Sequence, residues 1–462
     1  MKATFALLSL FASSSGVLLA QAIPTLKTTD KKVQVSSTFY GFDERVQFSD
    51  LAKEEGKRLN VRMNATTSSE LSGWKNPILI KVQTDSIQVS YRGAEYERVR
   101  ITDGKDTVTV QVHYINLVPT FSEAYKAAHR KKALVAIPPV QELMHLSIAL
   151  TPTGQKDRDM IHKSGPYYQK VMTRFAPYQN HAFIKKLDSM LAKSSDLYFN
   201  LVQDANAYDI QQGRIVDGTI YKTSGAIAPL LPLMQDFANT SKFPAFFAEN
   251  EAYYQQSIAR TKQLMPMEKM WQWIEKEYPN RYDCYKTVYS PLTGNNHSTR
   301  YYLTDDYQEC IMFVCGSEVM DKNKADELTQ QASLSGVVFT EIDHNYVNPM
   351  SDKHQKDINR VFGDRAKWAA KGGPADHYNG AYDVFNEYMT HALYCLYVRE
   401  NYPKNVSETI NKDRENLMVD HRKFIRFREF NQKLQELYSQ RKQGQTAADL
   451  YPAMLQWSES LQ

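Results

Sequence analysis

The chain has 462 residues, 42% of them hydrophobic, and its 56 basic and 52 acidic side chains leave a net charge of +4. That length exceeds one ordinary core and points to two or three domains of a globular protein. The charges are scattered, with no long basic block and no basic stripe interleaved with aromatics, which argues against a nucleic-acid partner.

The N-terminus, "MKATFALLSLFASSSGVLLAQAIP", has a lysine, an apolar run and a small-residue "AQA" at Ala20 to Ala22. This is the pattern of a removable export signal over residues 1–22, with cleavage after Ala20 or Ala22. No later segment reaches an 18-residue apolar run, so no stable membrane insertion is expected after signal removal. Export would end in the periplasm or outside the cell.

Residues 25–118 read as a β-rich domain. "KVQVSSTF", "LNVRM", "PILIKVQTDSIQVSYRG" and "YERVRITDGKDTVTVQVHY" are rich in Val, Ile, Thr and Tyr and partly alternate, with "FSDLAKEEGKRL" as a helical interruption. Residues 130–462 shift to helical spacing in "VQELMHLSIAL", "PYYQKVMTRFAPYQNHAFIKKLDSML" and "PMEKMWQWIEKEYP". A strand pair is expected inside this region at "YDCYKTVYSPL" and "ECIMFVCG", and an amphipathic helix at "HRKFIRFREFNQKLQELYSQR". The fold class is α+β, an N-terminal antiparallel β-domain followed by a mainly helical domain with a small sheet.

Four cysteines, Cys284, Cys310, Cys315 and Cys395, lie in the second half. In an exported protein they permit one or two disulfides in three pairings; buried thiols or a single staple is the expectation. No Cys-x-x-Cys occurs to suggest a zinc knot.

The stretch "SGVVFTEIDHNYVNP" differs by one residue from a His-Glu-x-x-His helix, which sets two imidazoles one turn apart with a general-base Glu between them. Thr340 stands at the first imidazole position, Glu341 and His344 keep theirs, and Asn348-Pro349 is expected to end the helix. A second apolar helix, "DVFNEYMTHALYCLYV", places Glu387 and His391 one turn apart. A carboxylate in such a helix is costly unless paired or metal-bound. Two helices of this kind can converge on one cation. His377, in "GGPADHYNG", precedes Glu387 on a glycine-rich loop that could lie over the cleft. "KMWQWIEKEYP" is expected to be core.

From "ALVAIPPVQELMHLSIALT" through "KFPAFFAENEAYYQQSI", "MEKMWQWIEKEYPNRYDCYKTVYSPLTGNNHSTRY", "EIDHNYVNP" and "VFNEYMTHALYCLY", roughly residues 134–440, the chain resembles the domain of unknown function 4932 family of secreted, gluzincin-like metallopeptidases. The resemblance implies one zinc ion, a peptide or protein substrate, His344 as second imidazole ligand, Glu341 as general base and Glu387 as third ligand. Thr340 departs from it, and the vacancy is open to His391 or Asp343, or Glu341 itself becomes a ligand; His391 is preferred because a helix presents residues four apart to one ion. In a competent site zinc would acidify a bound water and Glu341 would take its proton, with His297 and Tyr301 as candidate transition-state stabilisers. Against this exported zinc-dependent hydrolase stands a catalytically inactive gluzincin-like scaffold that binds peptide or a cell-surface partner. A glycoside hydrolase using Glu341 and Glu387 is a third reading.

Overall fold

The structure is a computed structural model, and it describes residues 23–461 apart from 29–31, 38–41, 54–55, 66–67, 93–95, 195–196, 219, 322–325 and 379. The expected export signal lies outside the described residues. The chain divides into two compact units, one of residues up to 65 with 69–115, the other of 66–68 with 116–462. The class is α+β.

The first unit holds β1 (Thr25–Lys27), β2 (Lys32–Ser37), β3 (Phe42–Gln47), β4 (Arg58–Ala65), β5 (Ile78–Val82), β6 (Asp85–Val89), β7 (Tyr96–Thr102) and β8 (Thr107–Asn116). They form two four-stranded sheets, ordered β3-β2-β5-β6 and β1-β7-β8-β4. The first is antiparallel throughout, whereas β1 joins β7 in parallel, a pairing no local pattern announces. Alternation buries Ile78, Ile80 and Val82 on β5 and Val108, Val110 and Val112 on β8. The helical interruption shrinks to Phe48–Leu51.

The second unit is mainly helical around a sheet of β9 (Lys132–Ala136), β12 (Cys284–Val288), β13 (Ser298–Leu303) and β14 (Gln308–Phe313), ordered β13-β14-β12-β9. The hairpin β10 (Tyr208–Gln211) and β11 (Arg214–Asp217) stands apart from that sheet. The expected strand pair is β12 and β14, which run parallel, while β13 is antiparallel at the edge. Five helices matter below: α1 (Pro139–Leu150), α2 (Met267–Glu277), α3 (Glu327–Lys353), α4 (Ala381–Asn401) and α5 (Lys404–Asn416).

Helix α4 is buried on every face from Val384 to Val398, the signature of a central helix. Phe339 of α3 stacks on its Tyr397 at 4.9 Å, and Trp273 of α2 meets both rings. The "MWQW" stretch is therefore core, with Trp273 Nε1 donating to Glu400 at 2.7 Å. No disulfide joins the four buried cysteines.

One expectation is overturned. Pro349 does not end α3, which continues to Lys353. A proline inside a helix leaves the carbonyl four residues earlier without its partner. Here that carbonyl, of Asn345, accepts from Asn280 Nδ2 at 3.5 Å, and Tyr382 holds the Asn348 carbonyl at 3.0 Å. Asn280, from outside the helix, thus satisfies the carbonyl that the ring orphans.

Candidate functional site

Helix α3 contributes Thr340, Glu341 and His344, and α4 contributes Glu387 and His391. Strand β13 supplies a third wall. Its alternation turns Thr299 and Tyr301 to one side and the buried Arg300 and Tyr302 to the other, where Arg300 pairs with Asp204 at 2.8 Å. On the first side Thr299 Oγ1 donates to Glu341 Oε2 at 2.7 Å. Burial raises the Glu341 carboxyl above its ordinary range, with His344 and the Thr299 hydrogen bond opposing.

The two helices meet where His344 Nε2 lies 3.5 Å from Glu387 Oε1. The opposite ring nitrogen, Nδ1, is 3.3 Å from Asn348 Oδ1, which also accepts from Asn386 Nδ2 at 3.1 Å. Burial works against charging His344, but Glu387, Asp343 and Glu341 together outweigh it and raise the imidazole to about 9. The ring nitrogens thus face Glu387 on one side and Asn348 on the other, and the charged form is the favoured one.

Glu387 is the hub. Its side chain is 7% exposed, and Arg422 Nη2 donates to its Oε2 at 2.7 Å and to the Tyr378 hydroxyl at 2.8 Å. Burial opposes its charge, yet His344, His391 and Arg422 hold its carboxyl well below the usual range. Arg422 arrives through an unusual local geometry: α5 runs into a π-helical turn over Leu417–His421, closed by the Arg422 N–H on the Leu417 carbonyl at 2.9 Å. Such turns shift the helical register and often mark functional positions.

His391 also meets arginine on both ring nitrogens, Arg414 at Nδ1 at 2.9 Å and Arg422 at Nε2. A neutral imidazole has one lone pair, so only one of these contacts is a hydrogen bond. Burial, then the Arg422 charge, push His391 down to about 3, so it stays neutral. Arg414 itself rests on the Tyr394 ring at 4.3 Å and over Gly336.

The residues can be tested against a catalytic zinc ion, which takes three protein ligands and leaves a position open. His344 Nε2 and Glu387 Oε1 face one another across a separation suited to two ligands of one ion. Among the described residues no group of three donors that could hold a metal is brought together, and Glu341 is held by Thr299. The Thr340 hydroxyl donates back to the Gly336 and Val337 carbonyls of its own helix. Asp343 is fully buried, its oxygens without a hydrogen-bond partner among the described residues, and burial raises its carboxyl far above the ordinary range. His391 has arginine at both nitrogens, and the Arg422 cation beside Glu387 repels a dication. This donor set falls short of a three-ligand zinc site.

Of the two candidate stabilisers, Tyr301 is on the Thr299 side of β13, and burial first, then Cys310, Tyr282, Glu341 and Asp343, raise its hydroxyl well above the ordinary range. His297 turns elsewhere, to Cys315. His377 is exposed; its neighbour Tyr378 is the residue that reaches the cluster. Sequence reasoning missed Thr299, Tyr378, Arg414 and Arg422. The two arginines sit in charge-dense "NKDRENLMVDHRKF", which reads as a solvated surface, and only the tight "DHRK" run after an apolar "LMV" marks a break in the helical pattern.

Comparison with curated proteins and with solved structures returns no match. The model of the family described as a domain of unknown function, DUF4932, matches residues 130–456, most of the second unit and well over half of the chain, and the chain belongs to that family.

Proposed function

We propose that this chain is an exported, peptide-binding member of the family, built on a gluzincin-like scaffold whose acidic pole is neutralised by an arginine in place of zinc. The observation that carries the reading is the Arg422 guanidinium against Glu387 and His391, together with Thr340 at the first imidazole position. Strand β13 supports a peptide as the ligand. It is the edge strand of its sheet, its Thr299 holds Glu341, and an extended chain added to such an edge gains main-chain hydrogen bonds whatever its side chains.

A second reading, a zinc-dependent hydrolase with Glu341 as base and His344 and Glu387 as ligands, is favoured by the 3.5 Å approach of those last two. Metal content by inductively coupled plasma mass spectrometry separates the readings. Wild type is expected to carry no stoichiometric zinc and to bind extended peptides without turnover, while Thr340→His combined with Arg422→Met gains zinc. Near-stoichiometric zinc in wild type that disappears in His344→Ala and in Glu387→Ala overturns the binding-scaffold reading and establishes the hydrolase site.

A further inference from the structure

Cys315 and His297 lie apart from the acidic cluster and are used by nothing described so far. His297 precedes β13, and Cys315 follows β14, its antiparallel neighbour, so the sheet itself brings the two side chains together. His297 Nε2 lies 3.2 Å from Cys315 Sγ. Burial pulls the His297 imidazole down to about 4, so the ring is neutral at neutral pH, and in its Nδ1–H tautomer the Nε2 lone pair faces the thiol. A thiol with a base within hydrogen-bond reach is the pairing that activates a nucleophile.

The other cysteines lack this pairing. Cys310 accepts from the Asn345 amide, and burial pushes the Cys284 and Cys395 thiols up to about 12. Cys315 is buried as well, at 2% exposure, and what sets it apart is the imidazole beside it, since a buried thiol without a base is inert. Cys315 and His297 also line a cavity of about 410 Å³, within the range of small-molecule sites. Val319, Met320, Leu334, Val337 and Ile410 give this cavity an apolar wall.

We propose that Cys315 is a thiol nucleophile activated by His297, and that the cavity takes an activated ester or thioester with an apolar acyl group. Sγ attacks the acyl carbon while its proton passes to His297 Nε2. The bond from that carbon to the leaving oxygen or sulfur breaks, its electron pair departs with the leaving atom, and Nε2 returns the proton to it. The product is an acyl thioester on Cys315. This chemistry requires no metal and does not depend on the reading of the Glu341 site.

The probe is 4-nitrophenyl butyrate, added to the intact protein at neutral pH, with release of 4-nitrophenol followed by absorbance and the acylated residue located by peptide mass spectrometry. One butyryl group on Cys315 is expected, with Cys284, Cys310 and Cys395 unmodified in the folded chain. Cys315→Ser abolishes the adduct, and His297→Gln slows acylation by about 100-fold, the low end of a general base's contribution. Mapping of wild type alone decides the matter even where a variant folds poorly. Cys315 unmodified, the cysteines labelled without preference, or an unchanged rate in folded His297→Gln overturns the proposal.

Discussion

If the Arg422 guanidinium neutralises Glu387, removing it exposes an imbalance that can be sized. Arg422→Met keeps much of the apolar stem and deletes the ion pair at 2.7 Å, the Tyr378 hydrogen bond at 2.8 Å and the contact with His391. Breaking a buried pair by removing one partner costs about 3–5 kcal/mol, because the remaining charge is stranded. Two features reduce that figure here. The Arg422 side chain is 20% exposed, so water replaces part of the loss, and His344 remains 3.5 Å from the other carboxylate oxygen. A destabilisation of roughly 2–4 kcal/mol at pH 7 follows. Urea unfolding followed by tryptophan fluorescence, with chelator present, measures it on Arg422→Met, Glu387→Met and the double variant. The double variant should cost less than the two single variants added together, by at least about 1 kcal/mol. Glu387 is depressed in the folded chain, so its contribution is full above its unfolded range near pH 4.3 and fades as pH falls through the folded value; the gap between wild type and Arg422→Met should narrow below about pH 4. Additive costs, or a gap that does not narrow in acid, refute the assigned role of Arg422.

Two further outcomes test the packing around the site. Glu142 on α1 is fully buried, accepts from Tyr167 at 2.5 Å and is raised by burial to about 7, so between pH 4.5 and 7 the unfolded chain ionises it before the folded chain does. Stability from this group therefore falls as pH rises through that window, by up to about 3 kcal/mol, and unfolding curves of Glu142→Gln should be flatter there; a slope equal to that of wild type would contradict the assignment. Gly336→Ala in α3 should destabilise by about 1–3 kcal/mol, where an exposed helix would gain up to about 1 kcal/mol from the same change. The added Cβ would stand 2.0 Å from Arg414 Nη2 and 2.7 Å from the Tyr394 ring, displacing Arg414 from His391, and a gain in stability on urea unfolding would show that the arginine shifts freely.

What the sequence disclosed and what it hid differ in the range of the interactions involved. The buried alternation of β5 and β8 and the apolar continuity of α4 are local patterns, and each was legible as it stands. Glu341, His344 and Glu387 were legible too, because a carboxylate or imidazole on an apolar helix demands a partner, and two such helices demand each other. Strand β13 was hidden by Arg300, a buried cation inside its run, which is tolerated only because Asp204, far away in sequence, accepts it. The continuation of α3 past Pro349 was hidden in the same way, since the rule that proline ends a helix holds only while the orphaned carbonyl lacks an outside donor, and Asn280 supplies one.

The partner that the acidic residues demanded was the least legible part. A vacant imidazole position invites the search for another ligand on the same helices, and His391 satisfied that search by spacing alone. The charge instead arrives from the residue after a π-helical turn, in a segment whose composition reads as surface. An arginine can meet Glu387, His391 and Tyr378 at once because its guanidinium offers five donors in a rigid plane, where a lysine would offer a point charge. Arg422→Lys is accordingly not a conservative change in this site. It preserves the net charge of the cluster and removes the fork that ties α4 to the turn after α5, so the charge carried by Arg422 and the geometry it imposes separate in one substitution.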